Sequence, residues 1–432
     1  MTTWSRKIQA LLLTALVTAL PTSAAAQDVP IEQELRDLKQ MVIELQQVVE
    51  QQSEQMKEQQ LLIEEMREQM HSPETAARLA PHIDKHLLHE RADIGKQLGD
   101  LSVAAALTGI VQGSIDAEDL SGEKSDTIDG SWSADFEIES PIGERGHAFI
   151  LIEAGQGEGL TDELALLYHN VNDDALDSES RLEISEAWYQ HSVIPERLTL
   201  VAGKLDMTNY FDTNEVANDE RYEFLNSALV NSIAVEFPDN GPGAVATAYP
   251  ADWVEMAAGW GKSEWEDLDR DGFGIAQLHF KPLLLGRPGN YRFYAWLNHS
   301  DKPDFSSGNS DDGWGAGISF DQAITDYLTA FLRFGFEDDD VYEVEKAWSA
   351  GFELAGQKWG REGDVAGVAL AQALINDDVE PDDTETLVEA YYSIALNEWL
   401  RLSPDIQLIS NPGGNDDNDT IIILGTRAQV DF

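Results

Sequence analysis

The chain has 432 residues, with 80 acidic against 28 basic side chains, a formal charge of −52 and no cysteine. Acidity on this scale excludes nucleic acid as a partner, because phosphate binding needs basic surface. The absence of thiols excludes a disulfide framework and thiolate metal sites. A mean hydropathy of −0.32 suits a soluble chain, and equally a membrane β-barrel whose lipid-facing residues alternate with polar ones.

In chain order, Arg6 and Lys7 precede an apolar run from Ile8 to Leu20 that ends in Ser23-Ala24-Ala25-Ala26-Gln27. This is the form of a secretory signal with an Ala-x-Ala cleavage site, so residues 1–26 are expected to be removed. Losing Arg6 and Lys7 takes the charge to −52 − 2 = −54. No cysteine follows the cleavage site to accept a lipid.

From Ile31 to Met70 apolar residues recur at alternating steps of four and three, as in Leu35, Leu38, Val42, Leu45 and Val49. Such a heptad seam predicts an α-helical coiled coil over 27–72, about 60 Å long at 1.5 Å per residue. Gln52 and Gln59 fall on the seam and are expected to set register or oligomer state. The predicted assembly is a homotrimer, with the stalk in the periplasm and in reach of the cell wall.

Residues 73–99 read as a linker, helical in part. There His82, His86 and His89 share one helical face. That spacing suits a polar face, a pH-sensitive contact or a zinc site that lacks an identifiable fourth ligand. No metal or cofactor is assigned.

From residue 100 to Phe432 the pattern changes to period two. Trp132, Ala134, Phe136 and Ile138 alternate with Ser133, Asp135, Glu137 and Glu139, and Leu328–Glu337 and Ile422–Phe432 behave alike. Short turns are expected near 142–146, 194–197, 250–253, 286–290, 321–326, 356–363 and 397–399. Long polar loops are expected near 116–130, 156–180, 206–242, 261–271, 300–312, 337–346, 376–386 and 411–419. Seven short and eight long connections join sixteen strands, the two-sided asymmetry of an all-β, 16-stranded antiparallel transmembrane β-barrel in the outer membrane. A barrel of this size encloses water, and the faces expected to line it carry Glu183, Lys204, Arg292, Asn298, Arg333, Glu389, Arg401, Asp405, Gln407 and Arg427.

The connection 206–242 is rich in aromatic and aliphatic residues, which favours burial in the lumen as a constriction. Lys204 and Asp206 stand at its root. Asn209, Asp212, Asn214, Asn218, Asp219, Glu220, Arg221 and Asn226 are expected nearest the solute, opposite Arg292, Arg333, Arg401 and Arg427 on the wall. Asparagines suit hydroxyl groups and equally hold a loop's own turns.

Six blocks carry a family resemblance: EAWYQ at 186–190, LTLVAGKLDMTNYFDTNEVANDE at 198–220, FLNSALVNS at 224–232, FPDNGPGAVA at 237–246, SPDIQLISNPGG at 403–414 and LGTRAQVDF at 424–432. Over roughly residues 100–432 the chain resembles the carbohydrate-selective porins. The resemblance implies a sixteen-stranded outer-membrane channel for passive diffusion of sugars. Its environment would be outer-membrane lipid and lipopolysaccharide. The acidity and the added stalk leave two alternatives, a channel for other solutes such as small cations or siderophores, and an envelope tether. Asp267-x-Asp269-x-Asp271-Gly272 opens like a calcium loop but has Leu278 at its twelfth position. The sequence holds no nucleophile elbow, His-Glu-x-x-His or phosphate loop, so no enzyme is expected.

Overall fold

The computed structural model describes residues 101–432 except 119–123, 165–166, 177–179, 267, 269–270, 304, 306–309 and 380–382. The expected signal, coiled coil and linker, with His82, His86 and His89, lie outside the described residues.

Among the described residues, seventeen strands form one antiparallel sheet. They are β1 (Ser102–Glu118), β2 (Lys124–Ile142), β3 (Gly146–Gln156), β4 (Arg181–Ile194), β5 (Leu198–Leu205), β6 (Gly241–Ala251), β7 (Val254–Gly261), β8 (Gly272–Phe280), β9 (Leu283–Leu284), β10 (Arg287–Pro303), β11 (Ser310–Ala323), β12 (Leu328–Glu337), β13 (Val344–Ala355), β14 (Val365–Ile375), β15 (Glu385–Ala395), β16 (Leu400–Ser410) and β17 (Ile421–Asp431). The two-residue β9 is the lip of the β8–β10 hairpin, pairing Leu284 with Arg287. The other sixteen build the wall, and β1 closes it on β17 through pairs running from Ala106–Asp431 to Ile115–Ile422. Closure leaves no unpaired sheet edge, which a lipid environment requires.

Period two places the side chains as the sequence leads one to expect. Trp132 and Phe136 of β2 stand exposed on the outer face while Ser133, Asp135 and Glu137 are buried inside. On β12, Leu332, Phe334 and Phe336 point out and Arg333 and Glu337 point in.

Two turns and two loops differ from expectation. The turn after β8 is centred on Leu285-Gly286, before the expected 286–290, and the β11–β12 turn is displaced to 324–327. Residues 124–130 continue β2, and 300–303 with 310–312 continue β10 and β11. Polar residues on both faces of a strand that outruns the lipid imitate a loop.

The lumen holds two larger apolar clusters beside a smaller one of Ala234 with Val344, Ala347, Ala373 and Ile375. In one, Leu160, Leu164, Val171, Phe224 and Leu229 pack on Phe331, Leu387, Tyr391 and Ile409 of the wall. In the other, Met207, Phe211 and Val235 pack on Val201, Leu205, Val245, Phe273 and Trp296. The inward aromatics of the wall break the polar alternation where a loop lies against it. Gly259 of β7 makes room for the loop, since a Cβ there would stand 2.6 Å from Phe211 and 2.7 Å from Met207.

Candidate functional site

The connection 206–240 between β5 and β6 crosses the lumen and is pinned to wall strands on several sides. Its start is a short 3-10 turn over Met207–Asn209, capped by Asp206, whose Oδ1 accepts from the Thr208 amide at 2.9 Å. Asn209 Nδ2 then donates to Glu186 Oε1 of β4 at 3.0 Å. Arg333 of β12 donates from Nη2 to the Asp212 carbonyl at 2.9 Å and from Nη1 to the Leu229 carbonyl at 2.8 Å. Its Nε also lies 3.2 Å from the Asp212 carboxylate. Asn214 Nδ2 donates to Ser319 Oγ of β11 at 3.1 Å.

Glu389 of β15 accepts the Leu225 and Asn226 amides at 2.6 and 3.0 Å. Asn226 caps the helix α1 (Ser227–Val230) and sends Nδ2 to Gln407 Oε1 of β16 at 2.9 Å. Arg427 of β17 donates to the carbonyls of Glu220 and, at 2.9 Å, Glu223.

These contacts sort the expected site residues. Asp212, Asn214, Asp219 and Asn226 are buried, and Asp212 and Asn226 have no exposed surface. They hold the loop's turns and wall contacts instead of facing solute, because short amide and carboxylate side chains bond to nearby backbone amides. Asn218 belongs with them through its Oδ1, which accepts from Arg333 at 3.3 Å.

Arg292, Arg333 and Arg427 are also buried, Arg292 against Asp321 of β11 at 2.9 Å. Arg401 sits at the short-turn end and donates to the Gly363 carbonyl at 2.9 Å. Lys204 contradicts the expectation outright. Val201 and Leu205 of β5 belong to the buried luminal cluster, so Lys204, an odd number of residues from Leu205, lies on the outer face. Its Nζ bonds to the Ile184 carbonyl at 2.7 Å.

Groups that keep some exposed surface remain beside the loop at two places. One is Asn209 with Trp188, both half-buried around the buried Glu186 carboxylate, where the indole N–H donates to Glu186 Oε2 at 3.0 Å and the ring stacks on Phe149 at 4.9 Å. The other surrounds Arg221, which pairs with Asp135 of β2 and Asp219. Arg221, Tyr222, Glu137 and Asp431 line a crevice against Ala104, Ala105 and Ala106 of β1, where small side chains leave space.

A second inward segment was not anticipated. The described residues of 157–180, between β3 and β4, lie over the first loop. Asn170 and Ser227 exchange bonds, Ser227 Oγ accepting from the Asn170 amide at 2.8 Å and the Asn170 carbonyl from the Ser227 amide at 3.0 Å. His169 contacts Asn226 Nδ2 at 3.0 Å and Glu385 of β15 at 3.1 Å. Gln112 of β1 and Gln407 both donate to the Val171 carbonyl, at 2.9 and 2.8 Å. The signal was available in Leu160, Leu164 and Val171, all buried here, within a segment otherwise read as a polar loop. This segment adds Asp173 and Asp174. Burial, Glu220 and Asp206 push the Asp173 carboxyl up to about 8.

A closed sixteen-stranded barrel with a lipid-compatible outer face, a polar interior and loops folded into the lumen is an outer-membrane porin. Residues 129–432 match the model of the carbohydrate-selective porin, OprB family, and the chain belongs to that family. A protein of Aquifex aeolicus is 27% identical over 237 residues, 55% of this chain and 65% of that one. Porin B of Pseudomonas aeruginosa is 26% identical over 158 residues, 30% of this chain and 34% of it. The chain therefore spans less than two thirds of the length of either relative. OprB of Pseudomonas putida at high pH superposes with a TM-score of 0.69 at 16% identity, over 77% of this chain and 94% of that one, a likeness of fold.

Proposed function

We propose that the protein is a passive channel for sugars and other small hydrophilic solutes, and that they pass between the inward loop and the β2–β4 wall. The observation that carries this reading is the Trp188–Glu186–Asn209 group. A half-buried indole offers an apolar face to a sugar ring, beside the Asn209 amide, which exchanges hydrogen bonds with hydroxyls and is oriented by the buried Glu186 carboxylate. Arg221, Glu220 and Asp206 border the same route.

Liposome swelling with a series of neutral sugars tests the function, and Trp188→Ala tests the route. Protein-containing liposomes should swell in mono- and disaccharides, with Trp188→Ala slowing entry of the larger sugars most. Swelling no faster than in protein-free liposomes would overturn the channel reading.

The N-terminal expectations belong to the same proposal. Residues 1–26 direct export, 27–72 form a periplasmic coiled coil that joins three chains, 73–99 link it to the porin body over 100–432, and the outer surface meets lipid and lipopolysaccharide. The support for the coiled coil and the trimer is the heptad seam alone. A peptide of residues 28–72 should be helical and self-associated by sedimentation, and one that stays monomeric and unfolded at high concentration would remove the trimer argument.

A further inference from the structure

The β8–β10 hairpin ends in three exposed leucines, Leu283, Leu284 and Leu285, and Leu285 is 102% exposed relative to a free residue. Its two turn residues, Leu285 and Gly286, both have positive φ, +54° and +78°. A two-residue hairpin turn with both φ values positive favours Asn-Gly or Gly-Gly. A bulky leucine is strained in the left-handed region, and the residue is placed where water would surround its side chain. Neither local conformation nor internal packing accounts for a leucine here, so its explanation lies outside the chain.

The height of the hairpin on the barrel identifies the surroundings. On the outer face the long-loop edge of the apolar zone is marked by Trp260, Leu297 and Trp314, linked through Gly274 in one row of paired residues. Just beyond that row the exposed side chains of His299 and Asp312 meet at 2.8 Å. Leu283 pairs with Pro288, nine positions along β10 from Leu297. At about 3.3 Å per residue and a tilt of about 40°, nine residues descend roughly 23 Å, inside the ~25 Å apolar band of such barrels, and the tip residue Leu285, two positions further, comes roughly 28 Å down, at the band's periplasmic edge.

The outer face between the two rows is apolar and continuous, with Met256, Leu278 and Phe293 exposed. Trp253 stacks on Phe280 at 6.3 Å and Phe280 meets Phe293 at 6.1 Å. Level with Leu284, its partner in the hairpin, Arg287 turns to Asp326 of the neighbouring turn at 2.6 Å. Its aliphatic stem and charged head suit the boundary between acyl chains and headgroups.

We infer that the Leu283–Leu285 hairpin is a lipid anchor, a short-turn tip sunk into the periplasmic leaflet that fixes the depth of this side of the barrel. The inference rests on the outer-membrane setting of the porin body and not on which solute it carries, so it stands whether or not sugars pass.

The chain has no cysteine, so Leu285→Cys gives one nitroxide attachment site in the full-length protein. The label is compared, in phospholipid vesicles, with one at Glu144→Cys in the exposed β2–β3 turn. The expected result is a ratio of oxygen to nickel-complex accessibility several-fold higher at 285 than at 144. Equal ratios would place the tip in water and overturn the anchor. Shielding from both reagents, with dipolar broadening that vanishes on dilution with unlabelled protein, would show a contact between copies and overturn it equally. Leu285→Asn, which suits the turn, is a second test. It should be at least as heat-stable as the parent in detergent yet melt at lower temperature in vesicles, and an unchanged melting temperature in vesicles would count against anchoring.

Discussion

Arg333 and Asp212 form a buried pair in which the guanidinium serves both the carboxylate, at 3.2 Å, and the backbone carbonyl, at 2.9 Å, of the same residue. Asp212 itself has φ +57°, so the arginine holds a strained turn of the loop against β12. The pair works as a clasp for the inward loop.

Arg333→Met should release that clasp. Removing one partner of a buried ion pair costs about 3–5 kcal/mol, and the Leu229 carbonyl loses its donor as well. The expected outcome is higher single-channel conductance, noisier traces and a lower unfolding temperature. Normal conductance with normal noise would mean that the loop is held without Arg333.

Asn226→Ala should loosen the crossing between the two inward segments. The side chain caps α1 and reaches both Gln407 and His169. Lost capping and stranded buried partners together amount to roughly 2–4 kcal/mol. Protease sensitivity within 157–180 and 206–240 reads the effect, and cleavage no faster than in the parent would contradict it.

The wall was legible in the sequence because period-two alternation reports which side of a sheet meets lipid, and sixteen strands and most turns follow from it. The lumen was less legible. Asn214 and Asn226 read equally well as solute ligands and as turn residues, and which applies depends on Ser319 and Gln407, about 105 and 181 positions away. Lys204 misled because a positive charge on the outer face of a barrel is read as luminal unless the register of Val201 and Leu205 is known. The segment 157–180 was passed over because its acids hid the spacing of Leu160, Leu164 and Val171.

Asp173 makes a pH prediction. Its folded-state pKa is raised to about 8, above the ordinary carboxyl value, so the neutral form is favoured in the folded loop. The associated stability is fully present below the unfolded pKa and is lost as pH rises through about 8. Over the same interval the lumen gains negative charge. The ratio of cation to anion permeability should climb between pH 6 and 9, and Asp173→Asn should flatten the climb. A ratio that does not change with pH in the parent would refute this assignment.

Gly259→Val should act without touching a polar contact. A side chain at this position meets Phe211 and Met207, which anchor the root of the loop in the second apolar cluster. Overpacking of this kind typically costs about 1–3 kcal/mol. The loop should shift toward the β2–β4 side, lowering conductance and slowing large sugars. Conductance at the parent level would show that the wall yields instead of the loop.

The balance of charge in the lumen leads to the last prediction. Arg292 is paired with Asp321, Arg333 with Asp212, and Arg427 is buried against loop carbonyls. Arg401 lies at the short-turn end, bonded to the Gly363 carbonyl. Arg292 and Arg333 therefore add little uncompensated positive charge at the loop, whereas Asp206, Glu186 and Glu220 border it and the chain as a whole carries −52. A negative lumen with low-dielectric walls concentrates cations and leaves neutral sugars unaffected. Reversal potentials across a salt gradient should show cation preference at neutral pH. Arg221→Gln should increase the preference, since Arg221 is the guanidinium placed among the bordering acids, and Arg292→Gln should change it little. Anion preference in the parent would mean that the wall arginines set the field after all.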